Sequence, residues 1–330
     1  SVLVGLASDD CVVLMIESLS VARRRPYHPQ KLVLVWSAMR HWAADLRARG
    51  YAVDYYAAQP TTLTALRAHL EAHRPARLRV MDTAEHGRAD RLAALVRGLG
   101  CPAEVTPNNL FVVQRAWFDD YARRRRVVRL EQFYRQVRRQ TGLLMDGDQP
   151  VGGDWSYDRL NRQPLPPGLA APPRPHCPPD AVTRAVMALV RREFPGHFGS
   201  VDDFGWPVTR ADAERWLEDF LDQRLDLFGP YEDAMRSGDA TLFHSQLSPL
   251  LNLGLLAPLD VCQRAEDRYR RGRARLPSVE GFVRQVIGWR EFVAQVYHRH
   301  MPGYIGCNAL AADLPLPDFY WTAATRMRCV

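Results

Sequence analysis

An α/β fold followed by an all-α part is the class this sequence predicts. Three observations predict it. Residues 11–106 alternate short apolar runs with helix-patterned segments, the chain beyond about 178 is helix-patterned throughout, and the stretch between them is dense in Arg, Pro and Gly. Alternation of strand and helix implies parallel strands covered by helices on both faces.

The elements follow in order. "CVVLMI" (11–16) and "LVLVW" (32–36) are short apolar runs of the buried-strand type. Ser37 is placed to cap a helix over "AMRHWAADLRARG", which Gly50 ends. "YAVDYY" (51–56), "RLRVMD" (77–82) and "AEVTP" (103–107) complete the strands, with helices over "LTALRAHLEAH" and "RADRLAALVRGLG" between them. No G-x-G-x-x-G follows any strand, which argues against an ordinary dinucleotide site. Helical patterning covers 179–193, 209–225, 230–237, 246–271 with breaks, and 278–299. We expect an α/β domain over 1–107, a connector over 108–177 and a helical domain over 178–330.

Composition narrows the function classes. Net charge is +7 and Lys31 is the only lysine, so the basic residues are almost all Arg. A guanidinium is a planar, permanent cation suited to phosphate. The Arg run at 123–139, interleaved with aromatics, admits a nucleic-acid partner; a solvated helix face with ion pairs accounts for it as well. No run of about 18 apolar residues is present, so no membrane helix is expected. The first residues lack the basic start of a signal peptide, and Asp9 and Asp10 break their apolar runs. Six cysteines without a CxxC fit a reduced, cytoplasmic setting.

Two stretches carry chemistry. In "FHSQLSPLLNLGLL" (243–256), Ser245 and Ser248 stand at a helix start, with His244 and Gln246 as further donors. Hydroxyls and free backbone N–H groups there suit an anion, and a plain N-cap is the alternative. In "GFVRQVIGWREF" (281–292), Arg284, Gln285, Trp289 and Arg290 lie on or beside an apolar helix face. A buried guanidinium needs a carboxylate or a bound anion.

These stretches together resemble the cryptochrome/photolyase superfamily. Residues His244, Ser245, Gln246, Leu247 and Ser248 match its T-S-x-L-S helix start, and Trp289-Arg290-Glu291-Phe292 matches its W-R-E-F. The resemblance is closest to the prokaryotic iron–sulfur branch that includes bacterial (6-4) photolyases. It runs through "SAMRHWAADLRARGY" (37–51), "FYRQVRRQTGLLMDGDQPVGGDWSYDRLNRQP" (133–164), "VEGFVRQVIGWREF" (279–292) and "LPDFYWTAATRMRC" (316–329).

The resemblance implies an antenna-type α/β domain and an incomplete helical domain that binds FAD. It implies flavin contacts from Tyr231, from His244 to Ser248, and from Arg284, Gln285 and Arg290. Trp289 and Trp321, with Tyr320, would stand near the flavin or the lesion; core packing is the alternative. Glu17 and Asp82 match acidic positions of a 6,7-dimethyl-8-ribityllumazine antenna site, whereas Val21 and Arg24 replace its second acid and its tyrosine. Cys329 matches the first of four ligands to an iron–sulfur cluster, which forms only if further cysteines are supplied. The implied function is light-driven electron transfer from reduced FAD to a flipped pyrimidine dimer, with damaged DNA as partner and a monomer when complete. Against that pattern the chain reads as shortened at both ends. A cryptochrome-like photoreceptor without repair and an inactive DNA-binding remnant are the alternatives.

Overall fold

The computed structural model describes residues 3–322 and 324–327. Strand β1 (Val12–Ser18) runs into a single turn, α1 (Leu19–Ala22). Helix α2 (Pro29–Ala48) follows, then β2 (Ala52–Gln59), α3 (Thr62–His73), β3 (Leu78–Met81), α4 (Arg88–Gly98) and β4 (Ala103–Thr106). The segments at 11–16, 51–56, 77–82 and 103–107 form strands, as the alternating pattern predicts.

The run "LVLVW" is not a strand. It lies inside α2, which starts at Pro29 rather than at Ser37. The start is made by His28, whose Nδ1 accepts from the Gln30 N–H at 3.2 Å, and by a proline in the first turn, where its missing N–H costs nothing. Five consecutive apolar residues mimic a strand because α2 is covered on two sides. It packs on β1 and β2, and it also packs on a later helix, α7 (Ala181–Glu193).

The strands form two separate parallel pairs among the described residues. β1 pairs with β2 from Val12↔Ala52 to Ile16↔Tyr56, and β3 pairs with β4 from Leu78↔Ala103 to Met81↔Thr106. A cavity of about 1490 Å³ lies between the pairs. Consecutive residues of β1 (Val12, Val13, Leu14) and of β3 (Leu78, Arg79, Val80, Met81) line it. Strand side chains alternate between faces, so consecutive residues line a space only along a strand edge. The unpaired edges of β1 and β3 therefore both border this cavity.

Residues 108–177 carry α5 (Arg115–Arg123), α6 (Leu130–Thr141), the hairpin strands β5 (Met145–Asp146) and β6 (Gln149–Pro150), and a proline-rich irregular stretch. Then come α7 (Ala181–Glu193), α8 (Arg210–Gln223), α9 (Leu225–Tyr231), α10 (Ser248–Leu253), α11 (Pro258–Arg270) and α12 (Leu276–Val283). A π-helical turn over Arg284–Trp289 joins α12 to α13 (Arg290–His300), and α14 (Phe319–Thr322) is a final turn. The helix expected over 230–237 ends at Tyr231 instead. Past it the chain turns: Asp239 Oδ1 accepts from the N–H groups of Thr241 and Leu242, and Gly238 adopts φ +80°.

The cores are distinct. One buries Trp216, Phe220, Phe228, Phe282, Phe118 and Phe133 among α5, α6, α8, α9 and α12. Another joins α2 to α7 through Trp36, Val33, Val186, Val190 and Phe204. The rings of Phe220, Phe228 and Phe282 meet at 4.8–5.9 Å, a triad that adds about 0.5–1.5 kcal/mol per pair beyond burial.

Candidate functional site: a polar cluster around the π-helical turn

The stretch from 281 to 292 is helical, as its spacing predicts, but its middle is wound as a π-helix. Such turns misalign the backbone ladder and gather at functional sites. Arg284 opens the turn with a side chain only 11% exposed. Its Nη2 donates to Asp158 Oδ1 at 2.8 Å, and its Nε lies 3.5 Å from Glu280 Oε1. That Nε has no hydrogen-bond partner. Glu280 is fully buried and accepts from the Tyr157 N–H at 2.9 Å.

Further unpartnered polar atoms surround this pair. Asn161 Oδ1 and Glu232 Oε2 are buried without a hydrogen bond, while the buried Tyr134 hydroxyl faces the Glu280 carboxyl. Gly281 shows how close they lie: a Cβ there would stand 2.8 Å from Asn161 Nδ2 and 3.6 Å from Glu232 Oε2. Arg162 closes the rim, 2.9 Å from Asp158, 3.5 Å from Glu232 and 3.2 Å from Asp233. Burial pushes the Glu232 and Glu280 carboxyls up, with Arg284 opposing in both. Burial pushes the Tyr134 hydroxyl well up. Burial lowers Arg284, but Glu280 and Asp158 outweigh it and hold the guanidinium above its usual value. Each buried orphan costs roughly 1–3 kcal/mol, so a cluster of them is the mark of a site that a polar ligand completes.

The loop at 243–248 reaches this cluster through Glu232. His244 Nε2 lies 3.2 Å from the Glu232 carbonyl oxygen, and the Phe243 ring is 5.4 Å from Tyr231. Gln246 takes φ +55°, a left-handed turn that leads into α10. Neither serine caps that helix: Ser245 Oγ only accepts from the Leu247 N–H at 3.5 Å, and Ser248 is exposed. Leu247 is buried, and Gln285 is half-buried inside the π turn. The fold thus brings Tyr231, His244 and Arg284 together around Glu232.

Arg290 stands apart. Its Nη1 donates to Glu291 at 3.1 Å, and its guanidinium lies 4.4 Å over the Phe111 ring. Burial lowers its pKa, with Glu291 opposing. Glu291 also accepts from the Val113 N–H at 2.9 Å, and Gln295 donates to the Val113 carbonyl at 2.7 Å. These bonds fasten α13 to the chain at 111–113. Trp289 is 44% exposed with its edge toward Phe292, and Trp321 is 69% exposed on α14, beside exposed Tyr320. Cys329 lies outside the described residues.

Glu17 is fully buried at the carboxyl end of β1, and its two oxygens accept four bonds: two from Arg40, one from Tyr55 OH and one from the Ala58 N–H. Asp82, just past β3, takes the Thr83 N–H and an ion pair with Arg115. No contact joins the two acids among the described residues. In the Arg run, Arg138 is fully buried and donates to the carbonyls of Leu143, Leu144 and Trp155, while Arg123, Arg124, Arg126 and Arg129 are exposed.

Sequence reasoning missed Asn161, Asp158, Glu232, Glu280 and Tyr134. Asn161 sits in a loop without periodicity, and Glu280 is spaced as one more helix residue. The one local signal was the acidic pair Glu232–Asp233 directly after Tyr231.

Comparison with known proteins places the chain. The family model described as deoxyribodipyrimidine photo-lyase-related protein matches residues 1–206. A protein of Agrobacterium fabrum named (6-4) photolyase is 39% identical over 331 aligned positions, which span 99% of this chain and 65% of that protein. An uncharacterised protein of Acanthamoeba polyphaga mimivirus is 43% identical over 68 residues, 20% of this chain and 52% of its own. The crystal structure of a bacterial class III photolyase from Agrobacterium tumefaciens superposes with a TM-score of 0.55 at 16% identity, covering 95% of this chain and 59% of that one. That likeness shows a photolyase-like fold, and the chain spans less than two thirds of the length of the relatives it matches along its whole course, 59% and 65%. The chain belongs to the deoxyribodipyrimidine photo-lyase-related protein family.

Proposed function

We propose that this chain serves in light-driven DNA repair as a flavoprotein of the (6-4) photolyase type. The observation that carries the reading is the set of buried, unpartnered polar atoms around Arg284, held where the family resemblance puts FAD. The polar atoms fit a flavin ring, which carries both donors and acceptors: a guanidinium N–H is free to donate, and an amide oxygen and a carboxylate oxygen are free to accept, close around Gly281. Reduced FAD, when bound and excited, supplies the electron that splits a pyrimidine dimer.

The chain's own residues bind and orient. Glu280 and Asp158 fix the Arg284 guanidinium from two sides, so it meets a polar ligand in one orientation. Glu232 links that guanidinium to Tyr231, His244 and the serine loop. Arg123, Arg124, Arg126 and Arg129 present cations to phosphates, and a flipped base is the form in which a stacked nucleotide is reached. Trp289, at the edge of the π turn, offers a ring for a base to stack on.

The antenna group does not enter: Glu17 has both oxygens filled from within the chain, which does not fit an antenna ligand at that carboxylate.

The test is the visible spectrum of the purified chain, followed by titration with FAD. Bound flavin is expected, and Arg284→Gln should weaken it roughly 10–100-fold, the value of one charge-assisted hydrogen bond. No flavin in the purified chain and none taken up on titration overturns the reading. Flavin that binds without light-dependent loss of UV lesions moves the chain to the photoreceptor reading.

A further inference from the structure

We infer that Asp54, His69 and His73 form a binding site for a late first-row divalent cation of the Zn²⁺ type, separate from the flavin cluster. His69 and His73 stand four residues apart on α3, so both rings leave the same helix face. Asp54 is on the neighbouring strand β2. His69 Nδ1 lies 2.9 Å and His73 Nε2 2.6 Å from the same Asp54 oxygen, Oδ2. The three ligand atoms all fall within 4.8 Å of one another.

The ligand types and their support choose the ion. Two imidazole nitrogens and one carboxylate oxygen are a donor set of borderline softness, which favours Zn²⁺, Co²⁺ or Ni²⁺ over the oxygen-seeking Ca²⁺ and Mg²⁺. Three protein ligands leave a fourth tetrahedral position open. His69 is held rigidly: its side chain is 4% exposed, and the Tyr56 ring meets it edge-on at 6.3 Å. His73 is the adjustable ligand, with its side chain 36% exposed. Tetrahedral ligands at about 2.0–2.1 Å from an ion stand about 3.3 Å apart, so seating one opens the 2.9 Å and 2.6 Å contacts, the larger shift falling on the exposed His73 ring and the smaller on the Asp54 side chain.

Access agrees. His69 and His73 both line the large cavity between β1 and β3, which gives an entry path. Without an ion, Oδ2 accepts an N–H from each ring; ligation takes the other tautomer of each, with the proton on His69 Nε2 and His73 Nδ1, so that His69 Nδ1 and His73 Nε2 present lone pairs.

The test is a Co²⁺ titration of the full chain after chelator treatment, followed by Zn²⁺ competition. A visible d–d spectrum of a tetrahedral nitrogen/oxygen site is expected, and Zn²⁺ should abolish it. His73→Gln should weaken binding more than tenfold, since even the outer partners of metal ligands are worth roughly 10–100-fold. His73 is partly exposed, so this variant keeps the packing of α3, and Asp54→Asn is the second variant. A titration unchanged in both variants overturns the proposal, as do sulfur-to-cobalt charge-transfer bands that place the ion on cysteines. Flavin content read on the same samples stays constant if the two sites are separate.

Discussion

Glu17 shows how much a single carboxylate holds. It is buried between β1, α2 and β2 and joins them through Arg40, Tyr55 and the Ala58 backbone. Glu17→Ala leaves Arg40 and the Ala58 N–H without an acceptor. We expect it to lower stability by about 2–4 kcal/mol, toward the lower part of the range for breaking a buried ion pair because Arg40 keeps some water contact. Denaturant melts measure this, and a loss under about 0.5 kcal/mol, the scale of an ordinary surface change, would return Glu17 to a ligand role. Arg138 teaches the same lesson from the other sign. In the sequence it is one arginine among many, yet its guanidinium is spent on three backbone carbonyls. Charge runs show which residues are basic; burial decides which of them are free to meet a phosphate.

At the scale of elements, the site depends on how closely α9 and α12 approach. Gly229 makes the approach possible: a Cβ there would stand 2.8 Å from the Ser278 Cα and 2.4 Å from Asn161 Oδ1. The Ser278 atom is backbone and cannot swing aside. Gly229→Ala should therefore cost about 1–3 kcal/mol and loosen any flavin, because it displaces Asn161 from the cluster. Gly98, in the last turn of α4, has nothing within 4 Å of its Cβ position. Gly98→Ala should be neutral or stabilise by about 0.4–1 kcal/mol. Thermal melts of the two variants side by side check both; equal shifts would mean the helix contact is looser than drawn here. The strand elements were legible because short runs alternating with helix-patterned segments have few other uses. Helix α2 was misread at its start because a helix buried on two sides loses the apolar–polar contrast that marks its period.

At the scale of the whole molecule, buried carboxyls set the response to pH. Burial raises Glu232, Glu280 and Glu291 above the usual value of 4.5. A raised carboxyl means the folded chain holds its proton more tightly than the unfolded chain. Its contribution is fully present below the unfolded value and is lost as pH rises through the folded one. Glu218 and Asp180 behave oppositely. Burial raises each, but Arg264 and Arg268 outweigh it for Glu218, and the Thr183 bonds and His41 outweigh it for Asp180. Their contribution is present above the unfolded value and lost as pH falls through the folded one. The melting temperature should therefore rise as pH drops through the raised folded values of Glu232, Glu280 and Glu291, all above 4.5, and then fall as the acid limb takes in the lowered values of Glu218 and Asp180. Glu280→Gln should flatten the upper limb. A melting temperature that falls steadily from pH 8 downward contradicts this account.

What local chemistry dictated along the chain is the type of most elements, the parallel class of the first part, and the residues worth watching, Arg284 and the serine loop; Tyr231 came from the family resemblance alone. Periods of 2 and 3.6 residues and the needs of a buried guanidinium are properties of short stretches, so a short stretch displays them. Partner choice is not such a property. Arg284 answers to Asp158 from 126 positions away, and Arg290 to its own neighbour Glu291. Nothing in "WREF" separates those outcomes. The same holds for the proposed cation site, where the four-residue spacing of His69 and His73 is visible in the sequence but Asp54 joins them only once β2 packs beside α3. Burial and long-range approach are decided by the whole packing at once, and only the folded chain contains that information.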